Sequence, residues 1–83
     1  MNNSVIWSKD GCVYCLMAKR LISSKNIKFE ERNIDEGVWT KEQMLVEAPD
    51  AKTFPQIFLH GKYVGGYDDL LKYVEDHGMY TND

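Results

Sequence analysis

The stretch Gly11-Cys12-Val13-Tyr14-Cys15 (GCVYC, residues 11–15) holds both cysteines of an 83-residue chain. What flanks them decides whether the pair binds a metal, sits inert or reacts. Just before it lies Val5-Ile6-Trp7, a wholly apolar run suited to a strand buried on both faces. Just after it, from Val13 to Lys25, the spacing turns helical: Met17, Leu21 and Ile22 with Ala18 form one apolar stripe, and Lys19 and Arg20 lie off it. A strand that passes through a loop into a helix puts Cys12 at the helix start and turns Cys15 inward, in line with Ala18 and Ile22.

Working outward, Ile27-Lys28-Phe29-Glu30 alternates apolar and polar as a second strand, and the alternation decays before Ile34. Thr40-Lys41-Glu42-Gln43 has the form of a capping box and opens a short helix through Leu45 and Ala48, ended by Pro49. Gln56 to Leu59 and Lys62 to Gly65 flank His60-Gly61, a two-residue hairpin connection with glycine where positive φ is needed. Asp68 and Asp69 open a last helix, where acidic side chains oppose the positive end of the dipole; Leu70, Leu71 and Val74 form its buried face and Gly78 closes it. The tail from Met79 to Asp83 is expected to fray. The predicted order is β-α-β-α-β-β-α: one helix-connected strand pair plus a hairpin, giving a four-stranded mixed sheet flanked by three helices.

Length and composition set the class. A chain of 83 residues is expected to form one domain, residues 1–83, and 43% apolar residues with only two prolines describe a globular chain. The ten basic residues are scattered among thirteen acids for a net charge of −3, without the concentrated cationic footprint that nucleic acid binding requires. The N-terminus carries no basic segment followed by a long apolar run, so neither a secretory signal nor a membrane span is expected and the chain reads as cytoplasmic. In reducing cytosol a structural disulfide is disfavoured, leaving metal binding or redox catalysis for a close cysteine pair.

A zinc site needs two further ligands, and the only histidines, His60 in a turn and His77 near the end of the last helix, lack the spacing of a finger. Two inert core cysteines fit poorly with a Gly-Cys step in a strand-to-helix loop. Redox chemistry fits both positions. A cysteine at a helix N-terminus in a Cys-X-X-Cys motif can have its pKa lowered to roughly 3.5–7.5 by the unpaired amides and the dipole, and the thiolate is the nucleophile. Cys12 is placed for attack, with Lys9 upstream adding positive charge that Asp10 partly cancels. Cys15 is the natural resolving thiol.

Strand, Cys-Val-Tyr-Cys and helix, followed by Thr53-Phe54-Pro55-Gln56-Ile57-Phe58 and Gly65-Gly66-Tyr67-Asp68-Asp69-Leu70, together resemble a small dithiol glutaredoxin of the bacterial and bacteriophage type, over roughly residues 3 to 77. The resemblance implies a thioredoxin-like fold, a cis bond before Pro55, and glutathione as co-substrate with no permanently bound cofactor and no metal. It also implies a glutathione site drawn from Lys9, Tyr14, Thr53, Phe54, Pro55, Gly66, Tyr67, Asp68 and Asp69. The backbone of Phe54 would pair with the cysteinyl unit of glutathione, amides at the start of the last helix would bind the γ-glutamyl carboxylate, and Asp69 would take the ammonium. Lys9 matches the basic residue near the glycine carboxylate; its second partner is one of Lys41, Gln43 and Lys52. Two positions depart from the common family pattern: Val13 stands where many members have Pro, and Phe54 where Val is common.

The resemblance implies a monomeric thiol-disulfide oxidoreductase acting on protein disulfides and glutathione mixed disulfides, with ribonucleotide reductase a candidate partner. The alternatives are a thioredoxin-like carrier reduced directly by a flavoprotein reductase, a redox-inert interaction module, and an iron-sulfur-bridging dimer, the last disfavoured by the bulk of Val13-Tyr14.

Overall fold

The computed structural model describes residues 3–78; the tail expected to fray lies outside them. The elements follow in the predicted order: β1 (Val5–Ser8), α1 (Val13–Ser24), β2 (Glu30–Asn33), α2 (Lys41–Glu47), β3 (Gln56–Leu59), β4 (Lys62–Gly65) and α3 (Tyr67–Asp76). They build a four-stranded mixed sheet in the order β2-β1-β3-β4, parallel between β1 and β2 and antiparallel elsewhere. β1 is central and buried along its whole length, as its uninterrupted apolar run requires.

The two faces of the sheet are covered differently. On one face Ile6, Ile57 and Leu59 pack with Ala18 and Ile22 of α1 and Leu70 and Val74 of α3. This is the core that fixes the start of α1; full burial of a side chain such as Ile22 contributes about 1.5–3 kcal/mol relative to exposure. On the other face Val5 and Trp7 pack with Met44 of α2, with Phe54, Phe58 and Trp39 around them. There Trp7 and Trp39 meet edge to face at 5.5 Å. The guanidinium of Arg32 lies 4.3 Å from the Trp39 ring centroid and 5.0 Å from that of Trp7, and it pairs with Glu30 at 3.2 Å and Glu47 at 3.3 Å.

Three expectations are corrected. The second strand is Glu30–Asn33 rather than 27–30. β1 begins at Val5, which is paired with Glu30, so the residues before Glu30 have no strand partner; Ile27 and Phe29 pack against the core from outside the ladder. Met17 is 37% exposed and Leu71 45% exposed. Each helix touches the sheet along a narrow line, through Cys15, Ala18 and Ile22 on α1 and Leu70 and Val74 on α3, and a residue one position off that line is left at the rim.

The turns behave as their residues dictate. Both halves of the Thr40–Gln43 capping box are formed, with the Gln43 amide donating to the Thr40 hydroxyl at 3.1 Å and the Thr40 amide to Gln43 Oε1 at 2.8 Å. His60 and Gly61 both have positive φ, 53° and 82°, the pattern of a type I′ hairpin turn, and His60 is held there by its amide donating to the Ser4 hydroxyl at 3.0 Å.

Candidate active site

Cys12 is the N-cap of α1, extended at φ −104° and ψ 105°, and its sulfur accepts the Cys15 amide hydrogen at 3.1 Å. A helix start leaves its first amides without backbone partners, and here one of them is spent on sulfur. The same amide would be a stronger partner for a thiolate, since a charged acceptor roughly doubles the strength of a neutral hydrogen bond. Cys15 is 1% exposed and lies one turn along, joined to Cys12 in a disulfide with a Cα–Cα separation of 5.2 Å. The pair is therefore built as the sequence demands, one sulfur at the rim and one beneath it.

The loop ahead of Cys12 is held by groups the sequence did not single out. The Asp10 amide donates to the Asp35 carboxylate at 2.9 Å, the Asn33 side-chain amide donates to Asp10 Oδ1 at 3.1 Å, and the Asp35 amide donates to Asn33 Oδ1 at 2.7 Å. Behind it, α1 is tied to the sheet by Lys19, which donates to Glu31 at 2.8 Å, while the buried Ser8 hydroxyl donates to the same carboxylate oxygen at 2.7 Å. The Lys19 hydrogen bond, aided by the Ser8 one and opposed by partial burial, pulls the Glu31 carboxyl below its ordinary range.

Opposite Cys12 runs the Thr53-Phe54-Pro55 segment. The Phe54–Pro55 bond is cis, as the resemblance implied, and the Phe54 carbonyl oxygen lies 3.8 Å from the Cys12 sulfur. The Lys9 ammonium sits 5.6 Å from the Phe54 ring centroid, within cation-π range. From this segment a groove of about 560 Å³ extends to the start of α3. Tyr14, Thr53, Phe54, Pro55, Gly66, Tyr67, Asp68 and Asp69 all line it, and Tyr14 meets Tyr67 at 5.8 Å between ring centroids. Lys9, Cys12 and Cys15 are not among the lining residues, although Lys9 and Cys12 border Phe54.

The start of α3 departs from the simplest reading of its glycines. Gly66 caps the helix, and its amide donates to Asp69 Oδ2 at 3.1 Å. Gly65 has φ +119°, and a side chain there would run into the Asp69 carboxylate. The space freed at Gly65 is thus taken by Asp69, whereas a Cβ on Gly66 would meet only the Pro55 carbonyl oxygen, at 3.6 Å.

Sequence reasoning missed three polar residues of the groove, Asp50, Gln56 and Tyr63, and left Lys52 as one candidate of three. These four line the groove beside the expected set. Lys41 and Gln43, the other two candidates considered with Lys52, are not among its lining residues, and Gln43 is already engaged in its capping box. Burial, and then the Asp69 and Asp50 carboxylates, push the Tyr63 phenol above its ordinary value. Among the described residues no cluster of three or more His, Cys, Asp or Glu is disposed to hold a metal, and no helix is long and apolar enough to cross a membrane.

Comparison with known proteins agrees with this geometry. A glutaredoxin family model matches residues 5–64. Glutaredoxin 3 of Escherichia coli (strain K12) is 41% identical over 70 residues, spanning 84% of this chain and 83% of that protein. The structure of reduced Escherichia coli glutaredoxin matches with a TM-score of 0.77 at 30% identity, covering 94% of this chain and 99% of the other. The crystal structure of a buckwheat glutaredoxin-glutathione complex matches with a TM-score of 0.79 at 25% identity, covering 94% and 73%. Matches of this extent, over a thioredoxin-like sheet with a cysteine pair at the tip of its first helix, mean that the chain belongs to the glutaredoxin family and has that family's thiol-disulfide oxidoreductase role.

Proposed function

We propose that this glutaredoxin takes its electrons from glutathione and acts on glutathione mixed disulfides and protein disulfides. The observation that carries the reading is the groove that leads from Phe54-Pro55, beside Cys12, to the amides at the start of α3. Glutathione has two carboxylates and one ammonium, so an extended site for it needs anion receptors at both ends and one acid. Here the main chain of Thr53 and Phe54 pairs with the cysteinyl unit as an added strand, with Pro55 and Tyr14 beside the sulfur. First-turn amides at Tyr67 and Asp68 receive the γ-glutamyl carboxylate. Asp69 uses one oxygen on the Gly66 amide and keeps the other for the ammonium. Lys9 and Lys52 receive the glycine carboxylate; Lys52 is chosen over Lys41 and Gln43 because it alone of the three lines the groove. That a buckwheat relative was crystallised as a glutaredoxin-glutathione complex supports the assignment.

Two routes follow from the sulfur geometry. With a glutathionylated thiol, the Cys12 thiolate attacks the glutathione sulfur, the target thiolate leaves and takes a proton, and a second glutathione thiolate attacks the Cys12 mixed disulfide to give oxidised glutathione and free Cys12. With a protein disulfide, Cys12 forms a mixed disulfide with the target, Cys15 attacks Cys12 to release the reduced target, and two glutathione molecules return two electrons to the Cys12–Cys15 bond. Monomeric action in the cytoplasm goes with this reading. The fitting protein partner is an enzyme that forms a disulfide in each turnover, as ribonucleotide reductase does.

The test compares electron sources. Reduced glutathione with glutathione reductase is expected to sustain turnover on a glutathionylated peptide; turnover by thioredoxin reductase with none by glutathione would overturn the reading.

A further inference from the structure

We infer that Tyr63, acting through Gln56, is a positioning residue that fixes the Thr53-Phe54 wall of the groove and thereby sets affinity for glutathionylated substrates. The inference deepens the glutathione reading above and rests on it. Gln56 is the first residue of β3, paired with Trp7, and only 4% exposed. Its side chain lies on the sheet face that carries α2, because residues opposite each other in a ladder share a face. On that face Gln56 spans two partners. Its Nε2 donates to the Thr53 carbonyl at 2.9 Å, and its Oε1 accepts from the Tyr63 hydroxyl.

The Tyr63 ring is in turn braced against Phe58 at 5.0 Å between centroids, so the hydroxyl arrives from a fixed position on β4. A buried carboxamide with a free oxygen is costly to leave unmatched, about 1–3 kcal/mol, and the Tyr63 hydroxyl is the partner that satisfies it. Loss of that donor frees the Gln56 amide to rotate, and the Thr53 carbonyl loses its anchor. Partial desolvation, and then the Asp69 and Asp50 carboxylates, raise the phenol's pKa, which favours the protonated, donating form of Tyr63. The relay ends at the Thr53 carbonyl, one residue short of the Phe54 carbonyl that lies 3.8 Å from the Cys12 sulfur, and the amide partner of that sulfur comes from Cys15. The relay therefore bears on recognition, and leaves the nucleophile as it is.

The experiment is a double-mutant cycle with Tyr63→Phe, which keeps the ring, and Gln56→Met, which keeps the length, read on a glutathionylated peptide and on the same peptide carrying cysteine in place of glutathione. Tyr63→Phe is expected to raise KM for the glutathionylated peptide roughly twofold to twelvefold, the range of one neutral hydrogen bond. It should leave kcat and the pH midpoint of Cys12 alkylation unmoved. In the Gln56→Met background Tyr63→Phe should have no further effect. An unchanged KM in Tyr63→Phe overturns the inference, and so does the same loss in both backgrounds, which would mean that Tyr63 touches the substrate directly. A shifted alkylation midpoint overturns it too. Failure of the glutathione reading looks different: the unmutated protein would then treat the two peptides alike.

Discussion

The sulfur end of the site and the groove beside it are built by opposite means. Cys12, its amide partner and the thiol proposed to resolve it all lie within one helical turn, so the proposed chemistry depends on four consecutive residues adopting a helix start. The groove takes Tyr14 from α1 but otherwise draws on β3, β4, α3 and the segment before Pro55, and its parts come together only when the sheet forms. Chemistry carried by one local motif should fail completely when that motif is broken. Recognition spread over distant elements should fail by degrees.

The largest expected effect is at the sulfur end. Cys12→Ser should lower kcat/KM on a glutathionylated peptide by roughly 10³-fold or more, because no second thiol is placed to start the reaction. Retention of activity would break the contrast at its root. Cys15→Ser should separate the two routes: steady-state reduction of the glutathionylated peptide persists, while turnover of a protein disulfide is lost and the target accumulates as a mixed disulfide detectable by mass spectrometry.

At the recognition end Asp69→Asn keeps an acceptor for the Gly66 amide and removes the charge proposed to meet the ammonium. It should raise KM for the glutathionylated peptide about tenfold with little change in kcat. An equal fall in kcat would show that the two ends are coupled more tightly than the geometry implies.

The smallest effect concerns the brace under α1. The Glu31 carboxyl is held below its unfolded range by Lys19 first and then by Ser8, so its contribution is present above the unfolded carboxylate pKa of about 4.3 and is lost as pH falls through the folded value. Since Lys19 and Glu31 are partly solvated, with side-chain exposures of 28% and 34%, the pair contributes below about 1 kcal/mol. Glu31→Gln should lower Tm by a few degrees at most at pH 7, with the difference from the unmutated protein shrinking below pH 4.

The same contrast explains what was legible in the sequence. The order of elements, the capping box, the hairpin turn and the inward Cys15 are local patterns, and each is found where its residues put it. β2 begins three residues later than the alternation suggests, because Ile27 and Phe29 alternate like a strand while packing on the core outside the ladder. Met17 and Leu71 belong to the apolar stripes in sequence yet sit at the rim, because a helical stripe is wider than the line along which these helices meet the sheet. The roles of Gln56 and Tyr63 in the groove are not marked by any motif, although a period of two from Phe58 puts Gln56 on its face and the hairpin sets Tyr63 opposite Phe58. The Gln56–Tyr63 hydrogen bond also spans a register shift between Ile57 and Phe58, which no local pattern announces.

The account depends on a sulfur anion held at the tip of α1, and the rate of alkylation of the reduced protein against pH, with each cysteine followed by mass spectrometry, measures it directly. The expected result is modification of Cys12 ahead of the buried Cys15, with a midpoint below the value of about 8.5 for an ordinary thiol. A midpoint at or above that value, or Cys15 reacting first, would contradict it.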